Sequence, residues 1–270
     1  MRFASGSREP VGSLSMPALP LLLAAAFLAL STPLASQSEL PATPPPPAAA
    51  PAPPALAPPA LPAPPPARRP AAVMSYHGAE WLERAGREAE ERPSALIREL
   101  QAMGLKPGDA VAEVGCGTGY ISRLLAAAVG PTGKVYCEDI QPEMVQLARQ
   151  RAAAAGLGNV VFVLGAEDDP RLPRQLAWVV LVDVYHELQR PEPMLARIRE
   201  SLAPGGRVAL AEYRAEGDSA AHIKPEHRMS VEQVLGEWTR AGFLLVKRIE
   251  TLPEQHLFIF SARRGARPLP

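Results

Sequence analysis

The residues whose types and spacing best suit chemistry form the short segment EVGCGTG, residues 113–119. Glu113 ends a short apolar run, and Gly115, Gly117 and Gly119 then alternate with other residues before a helix-like stretch. Glycines have no Cβ, so the backbone can come close to a ligand. The spacing differs from G-x-G-x-x-G, which packs a pyrophosphate against a helix start. It favours a cofactor with an adenosyl group, a charged amino-acid end and no phosphate.

The same segment has a simpler interpretation, a tight turn between a strand and a helix in which Glu113 caps the loop's own amides. We favour the ligand interpretation, with Glu113 facing the cofactor's charged end, because the acid directly precedes the glycines. Cys116 lies inside the loop and is counted among the cofactor-binding residues. The only two cysteines, Cys116 and Cys137, indicate neither a metal site nor a disulfide framework. We expect both to fill space, and the alternative, a bridge between them, applies only if the protein is exported.

A second acid lies where the next predicted strand ends. An acid at this place can accept hydrogen bonds from both hydroxyls of a ribose. Asp139 and Glu138 are both available, and Ile140 follows them. The alternative for Glu138 is a solvated charge at the strand end. With an acid on the ribose, Ile140 would pack against the adenine face.

A third group, DVYHE at residues 183–187, follows an almost unbroken apolar run. Open α/β sheets bind ligands at the carboxyl ends of their strands, so we place Asp183 beside the cofactor. His186 is the leading candidate for a general base, because an unperturbed imidazole titrates near neutrality. Tyr185 is expected to line the acceptor pocket, and Glu187 is the alternative charged group facing the substrate. The competing interpretation is that His186 orients a loop or caps the next helix.

Further polar residues follow toward the C-terminus. Glu212, Tyr213 and Arg214 end a later predicted strand and form a second candidate cluster on the acceptor side. A metal site from His222, His227 and a carboxylate is conceivable, but the tight ligand spacing typical of such sites is missing. We therefore predict no metal site and expect these histidines in solvated loops.

These residues need a scaffold, and the chain predicts one in which strands and helices alternate. Apolar runs predict strands at 111–114, 134–139, 160–164, 178–184, 208–213, 243–249 and 256–261. Helical periodicity predicts helices at 78–103 (opened anew or broken by Pro93), 120–128, 142–155, 192–202 and 230–239. The alternation indicates an α/β fold, a Rossmann-like doubly wound sheet of seven mostly parallel strands. The last two strands lack a helix between them, so one should run antiparallel.

The N-terminal quarter of the chain has a different composition. Arg2 and Arg8, an apolar run at 19–30 and small residues after it predict a signal peptide over residues 1–36. Residues 41–70 contain 15 Pro and 10 Ala, so 37–73 is predicted to be a disordered linker before a folded domain at 74–270. The chain would then be exported, to the periplasm or the medium. If the true start is Met16 or Met74, it would be cytoplasmic.

The balance of basic and acidic side chains excludes few functions. Residues 74–270 contain 24 basic and 26 acidic side chains without a Lys/Arg-rich block, which argues against a large nucleic-acid surface. We expect no transmembrane helix in the mature chain, because the apolar run near the N-terminus is shorter than the roughly 20 residues that a spanning helix needs.

Five segments, taken together, resemble one known family. VAEVGCGTGY, VYCEDIQPEM, LGAEDDPRLP, VLVDVYHELQRPEPML and LAPGGRVALAEY occur in the order and spacing of class I S-adenosylmethionine-dependent methyltransferases, and the resemblance covers residues 74–262. The stretch from YHGAEW to PEQHLF is similar to a bacterial branch in which several members carry exported leaders.

The resemblance implies a cofactor, S-adenosyl-L-methionine, and roles for particular residues. It favours Asp139 over Glu138 as the ribose acid, and it places Glu167 or Asp168 near the adenine amino group. For that pair, a solvated turn before Pro170 is the alternative.

The function expected from the sequence is methyl transfer to an unidentified, small-molecule acceptor. The alternative is a non-catalytic module of the same fold that binds S-adenosylmethionine or a nucleoside. An NAD-dependent oxidoreductase is a third option, which the glycine spacing and the terminal hairpin disfavour.

Overall fold

Eight strands form one mixed sheet in the protein, for which a computed structural model describes residues 75–263. The strands are β1 (Ala110–Val114), β2 (Lys134–Asp139), β3 (Val160–Leu164), β4 (Leu176–Val182), β5 (Leu202–Arg214), β6 (Arg228–Met229), β7 (Phe243–Ile249) and β8 (Gln255–Ala262). Their order in the sheet is β3-β2-β1-β4-β5-β8-β7, and β6 pairs with the end of β5.

The strand directions confirm the predicted doubly wound sheet. Strands β1 to β5 run parallel to one another, whereas β8 lies between β5 and β7 and runs antiparallel to both. The chain fills the β2 and β3 side first and then returns to the other side of β1, so the strand order reverses between β1 and β4. The eighth strand, β6, was not predicted, because two residues carry no periodic signal.

Seven helices accompany the strands in the described part of the chain. They are α1 (Tyr76–Trp81), α2 (Arg87–Glu90), α3 (Pro93–Ala102), α4 (Tyr120–Val129), α5 (Pro142–Ala154), α6 (Pro191–Ser201) and α7 (Val231–Arg240). The predicted helix at 78–103 is therefore three helices. Pro93 opens the third one, where its fixed φ suits the first helical position. Ser230 caps α7, because its hydroxyl accepts a hydrogen bond from the Gln233 amide.

Strand β4 separates two hydrophobic clusters. Trp178 and Val180 pack on the side of α3 and α4, while Val179 and Leu181 pack on the side of α6 and α7. Alternate residues of a strand face opposite sides of the sheet, so both faces of β4 are covered, as its apolar sequence predicts. This central strand therefore presents its carboxyl end, and the residues that follow it, from a rigid position.

The signal peptide predicted for residues 1–36 and the linker predicted for 37–73 lie outside the described residues and stay predictions. Between residues 75 and 263, no helix is long and apolar enough to cross a membrane.

Candidate active site

A cavity of about 750 Å³ opens at the carboxyl ends of β1, β2 and β4. This is where open α/β sheets bind ligands, and the volume suits a small organic molecule. Ten of the predicted site residues line it: Glu113, Gly115, Cys116, Gly117, Asp139, Ile140, Glu167, Asp183, His186 and Glu187. The other three, Gly119, Asp168 and Tyr185, do not.

The glycine loop is held by the two acids at the end of β2. The Gly117 amide donates to Asp139 Oδ2 at 2.8 Å, and the Gly115 amide donates to Glu138 Oε2 at 3.3 Å. The second oxygen of Asp139 accepts from the Gln141 amide at 2.9 Å. Burial raises the pKa of both carboxyls, which face the cavity. Both acids therefore shape the loop, and both can reach a ligand in it.

Glu113 contributes a buried carboxyl to the floor of the cavity. It accepts a hydrogen bond from the Ser122 hydroxyl rather than from its own loop, so it does not cap the loop amides. Burial raises the pKa of Glu113 to about 8, which the Ser122 hydrogen bond and the charge of Arg87 partly oppose. A cation placed beside Glu113 would be stabilised as the carboxyl ionises.

Gly115 and Gly119 of the loop make room for different neighbours. A Cβ on Gly115 would lie 2.3 Å from the Val184 side chain, and Gly115 also has a φ of +69°. A Cβ on Gly119 would lie 3.0 Å from the Ala148 Cβ, so Gly119 allows α4 and α5 to pack closely. Gly119 does not line the cavity, and its assignment to the cofactor stays a prediction.

Cys116 and Cys137 form a disulfide, which corrects the expectation that both merely fill space. The parallel pairing of β1 with β2 places Cys137 opposite Glu113. The glycine loop then turns back, so the Cα atoms of the two cysteines lie 5.5 Å apart. The bond ties the loop to β2, and Cys116 still lines the cavity.

One apolar and one acidic residue line the cavity where the sequence predicts contacts with adenine. Ile140 exposes 44% of its surface although it is a large apolar residue, and it lines the cavity. Glu167 also lines the cavity, whereas the carboxylate of Asp168 pairs with Arg190 on the surface. Of the two alternatives at this position, Glu167 lines the cavity and Asp168 does not, so the structure favours Glu167.

Asp183 follows β4 in a left-handed conformation, with a φ of 51°. Its Oδ2 accepts a hydrogen bond from the Gln255 side chain at 2.7 Å, and its buried Oδ1 has no hydrogen-bond partner among the described residues. Burial and the nearby Glu212 raise the pKa of Asp183 well above its ordinary value. Strain and an unpaired buried oxygen are costly, and both are typical of functional sites.

Tyr185 belongs to the core and not to the acceptor pocket. Its side chain is fully buried, its hydroxyl donates to Glu237 at 2.7 Å, and its ring lies 5.3 Å from that of Trp238. The residue sits in a short 3₁₀ turn after β4, which directs the neighbouring His186 to the opposite side. The prediction for Tyr185 is wrong, because consecutive residues of this turn face in different directions.

His186 is the centre of a polar cluster that comes from three segments. Its Nδ1 lies 2.7 Å from Oε2 of Glu212, whose carboxylate is fully buried. Its Nε2 lies 2.9 Å from Nδ1 of His227 and 3.7 Å from Oε1 of Glu187. Glu212 also accepts the Tyr185 amide at 2.7 Å, so one carboxylate fixes both the turn and the imidazole.

The two imidazoles have opposite tendencies to hold a proton. Burial opposes the charge of His186, but the carboxylates of Glu212 and Glu187 outweigh it and raise its pKa. Burial and the charge of His186 lower the pKa of His227. Of the two imidazoles, His186 is therefore the one that more readily takes up a proton.

Other C-terminal residues divide between the cavity and the surface. Tyr213, His222, Lys224 and His227 line the cavity. Arg214 instead bonds to Glu250 and to the carbonyls of Leu252 and Pro253, outside the cavity, so the predicted cluster of Glu212, Tyr213 and Arg214 is split. His256 lies between the carboxylates of Glu250 and Glu216 rather than in solvent.

Four residues near the start of the described chain also line the cavity, namely Trp81, Leu82, Arg87 and Glu91, and we call them the N-terminal cover. The sequence patterns did not predict this part of the site. Arg87 donates to Glu91 at 2.7 Å, and the Tyr213 hydroxyl donates to the same carboxylate at 3.3 Å. A Cβ on Gly117 would lie 2.8 Å from Leu82, so the cover rests directly on the glycine loop. The helical stripe of this region indicated packing alone and carried no sign of a ligand.

A family model described as a methyltransferase domain matches residues 105–251. The chain belongs to the class I S-adenosylmethionine-dependent methyltransferases. A protein-L-isoaspartate O-methyltransferase of Aeropyrum pernix is 34% identical over 118 residues, which cover 44% of each chain. A ubiquinone/menaquinone biosynthesis C-methyltransferase UbiE of Ectopseudomonas mendocina is 32% identical over 121 residues, or 44% of this chain and 47% of that one. The chain thus spans less than half the length of these curated relatives.

A solved S-adenosylmethionine-dependent methyltransferase from Aquifex aeolicus has the same fold. It superposes with a TM-score of 0.62 at 25% identity, over 70% of this chain and 98% of that chain. The predicted family, fold class and cofactor are confirmed by these matches.

The residues of this methyltransferase fit the cofactor of its family. The exposed Ile140 offers an apolar face for adenine, and the carboxylates at the end of β2 offer acceptors for ribose hydroxyls. The unpartnered oxygen of Asp183 and the raised pKa of Glu113 mark places that a cationic amino-acid end would satisfy.

Proposed function

We propose that the protein transfers the methyl group of S-adenosylmethionine to a small-molecule acceptor that binds beside His186 and Glu187. The observation that carries this proposal is the continuity of the cavity. One space of about 750 Å³ is lined both by the glycine loop and by the cluster around His186. A donor in the loop and an acceptor at the cluster would therefore face each other without a wall between them.

Bound S-adenosylmethionine supplies an already activated methyl group, so the chain's task is mainly positioning. The glycine loop, Asp139 and Ile140 would hold the donor at one end. Asp183 lies on a strained turn between the cofactor end and the acceptor end of the cavity, where it would orient the donor toward the acceptor. The N-terminal cover would limit the access of water to the bound donor, because Leu82 packs against Gly117.

A hydroxyl or carbon acceptor must lose a proton, whereas a neutral amine or a carboxylate can react without prior deprotonation. His186 and Glu187 are the groups within reach of that proton, since both line the acceptor end. Glu212 would fix the orientation of His186 from behind. The two curated relatives are named as an O- and a C-methyltransferase, which supports an oxygen or carbon atom as the acceptor.

The test is transfer of labelled methyl from S-adenosylmethionine into a fractionated small-molecule extract. We expect label in the low-mass fraction with the wild type, and a rate lower by about 10²–10⁴-fold for His186→Ala, the range for loss of general acid–base catalysis. Calorimetry should show unchanged cofactor affinity for that variant. Full activity of His186→Ala would remove the residue from the mechanism.

The same assay separates catalysis from mere binding. A module that only binds S-adenosylmethionine would return the donor unchanged with every fraction. Label in protein or RNA fractions, and none in small molecules, would contradict the proposed acceptor class.

The chain is, in this proposal, exported through the signal peptide predicted at residues 1–36. The Cys116–Cys137 disulfide supports export, because such bonds persist in oxidising compartments. Cell fractionation with N-terminal sequencing tests it. A mature chain in the periplasm or medium that begins after residue 36 is expected, and a cytoplasmic chain that begins at Met16 or Met74 would contradict it.

A further inference from the structure

The cluster at the acceptor end brings together two imidazoles and one carboxylate with ligand atoms turned toward each other. His186 Nε2 and His227 Nδ1 are 2.9 Å apart. Glu187 Oε1 lies 3.7 Å from the first nitrogen and 3.8 Å from the second. We propose that His186, His227 and Glu187 bind a divalent first-row transition metal ion at the acceptor end of the cavity.

The distances suit a common metal. Metal–nitrogen bonds of about 2.0–2.1 Å place two ligands at right angles about 2.9 Å apart, and a separation near 3.7 Å corresponds to a wider angle of about 120–130°. Without a metal, the same two nitrogens share a hydrogen bond through one proton. The metal would replace that proton, so the two states compete for the same atoms.

Glu212 provides the second observation. A histidine that binds a metal through one nitrogen almost always donates its other N–H to a carboxylate or carbonyl, which fixes the tautomer and orientation. The Nδ1 of His186 lies 2.7 Å from the carboxylate of Glu212, which has 0% exposure. This arrangement turns Nε2 of His186 toward His227 and Glu187.

The three proposed ligands lie on backbone segments that neighbouring strands and hydrogen bonds hold in place. His186 and Glu187 lie in the 3₁₀ turn that β4 and Glu212 anchor. His227 ends a second 3₁₀ turn, directly before β6, which pairs with β5 through Tyr213 and Arg228. Two imidazoles and one carboxylate suit zinc, iron, manganese or cobalt rather than calcium or magnesium, which prefer oxygen ligands alone.

Three protein ligands leave coordination positions open toward the cavity that these residues line. An acceptor with a hydroxyl or carboxylate oxygen would occupy them, and the metal would lower the pKa of a bound hydroxyl. This use of the metal rests on the proposed function, whereas metal binding itself does not. With a metal bound, His186 and Glu187 would be its ligands, and the lowered pKa of the bound hydroxyl would replace proton removal by these side chains.

The experiment is a titration of the EDTA-treated, dialysed full chain with Zn²⁺ by calorimetry and with Co²⁺ by visible absorption. We expect one ion per chain. His227→Ala removes a direct ligand, and its side chain is 39% exposed, so the variant should keep its fold. Its affinity should fall by more than the 10–100-fold that loss of a supporting carboxylate costs, and Glu212→Gln should lose about 10–100-fold.

His222→Ala is the matched control. His222 also lines the cavity, but it is exposed and faces Glu254 at 3.6 Å, away from the cluster. Its affinity for Zn²⁺ should equal that of the wild type. Absence of stoichiometric binding in the wild type, or equal binding by His227→Ala, would overturn the proposal. A parallel titration of the metal-free protein with S-adenosylmethionine tests the proposed function separately.

Discussion

The two ends of the cavity are assembled in different ways. The cofactor end comes from two short segments on neighbouring parallel strands, the glycine loop after β1 and the acids at the end of β2. The acceptor end joins His186 and Glu187 to Glu212 and to His227, which lies 41 residues beyond His186. The cofactor end is thus specified by consecutive residues and backbone amides. The acceptor end depends on side chains that only the complete fold brings together.

A substitution in the glycine loop should have the largest effect. In Gly115→Ala the new methyl would overlap Val184 at 2.3 Å. Overpacking and the left-handed φ together should cost roughly 2–5 kcal/mol of unfolding free energy and prevent cofactor binding. Gly156→Ala is the control, since Gly156 has a nearly equal φ of +68° but an added Cβ there would meet no atom of the described residues within 4 Å. Denaturant unfolding and calorimetry measure both. Equal losses in the two variants would show that backbone strain, not the contact, decides.

Removing the disulfide should have the next largest effect, and again at the cofactor end. The bond closes a loop with a sequence separation of 21 residues. Its loss in Cys116→Ser/Cys137→Ser should lower the unfolding free energy by roughly 3 kcal/mol and weaken cofactor binding, because the loop is no longer tied to β2. Reductant should destabilise the wild type and leave the double variant unchanged. A wild type that is insensitive to reductant would contradict this expectation.

Tyr185→Phe tests the boundary between the acceptor end and the core. It removes the hydrogen bond to Glu237 and should cost about 1–2 kcal/mol of unfolding free energy. Methyl transfer and cofactor affinity should stay near wild-type values, because the hydroxyl does not face the cavity. A large loss of activity without loss of stability would return Tyr185 to the acceptor pocket.

The smallest expected effect separates two adjacent acids. Glu167→Ala should weaken S-adenosylmethionine binding by about 2–10-fold, the loss of about one hydrogen bond. Asp168→Ala should leave the affinity unchanged, because this carboxylate pairs with Arg190 on the surface. Calorimetric titration of both variants measures these affinities. A larger loss in Asp168→Ala than in Glu167→Ala would show that Asp168, and not Glu167, contacts the cofactor.

The sequence predicted most of the fold and of the cofactor end for the same reason, since both follow from short-range patterns. Apolar runs located seven strands within two residues, except that β5 begins six residues earlier than predicted, and the acid and glycine spacing located the loop. Tyr185 was misplaced, and Glu167 could not be told from Asp168, because neighbouring residues in a turn point in different directions. The disulfide, the N-terminal cover and the pairing of His186 with His227 depend on three-dimensional contacts that no local spacing records.

The most direct test is calorimetric titration of S-adenosylmethionine into the wild type and into Asp139→Ala. One molecule per chain should bind to the wild type. Asp139→Ala should bind roughly 10–100-fold more weakly, because the loop amide of Gly117 loses its charged acceptor and the ribose loses an anchor. Failure of the folded wild type to bind, or equal affinity in the two proteins, would contradict the assignment of this cavity as the cofactor site.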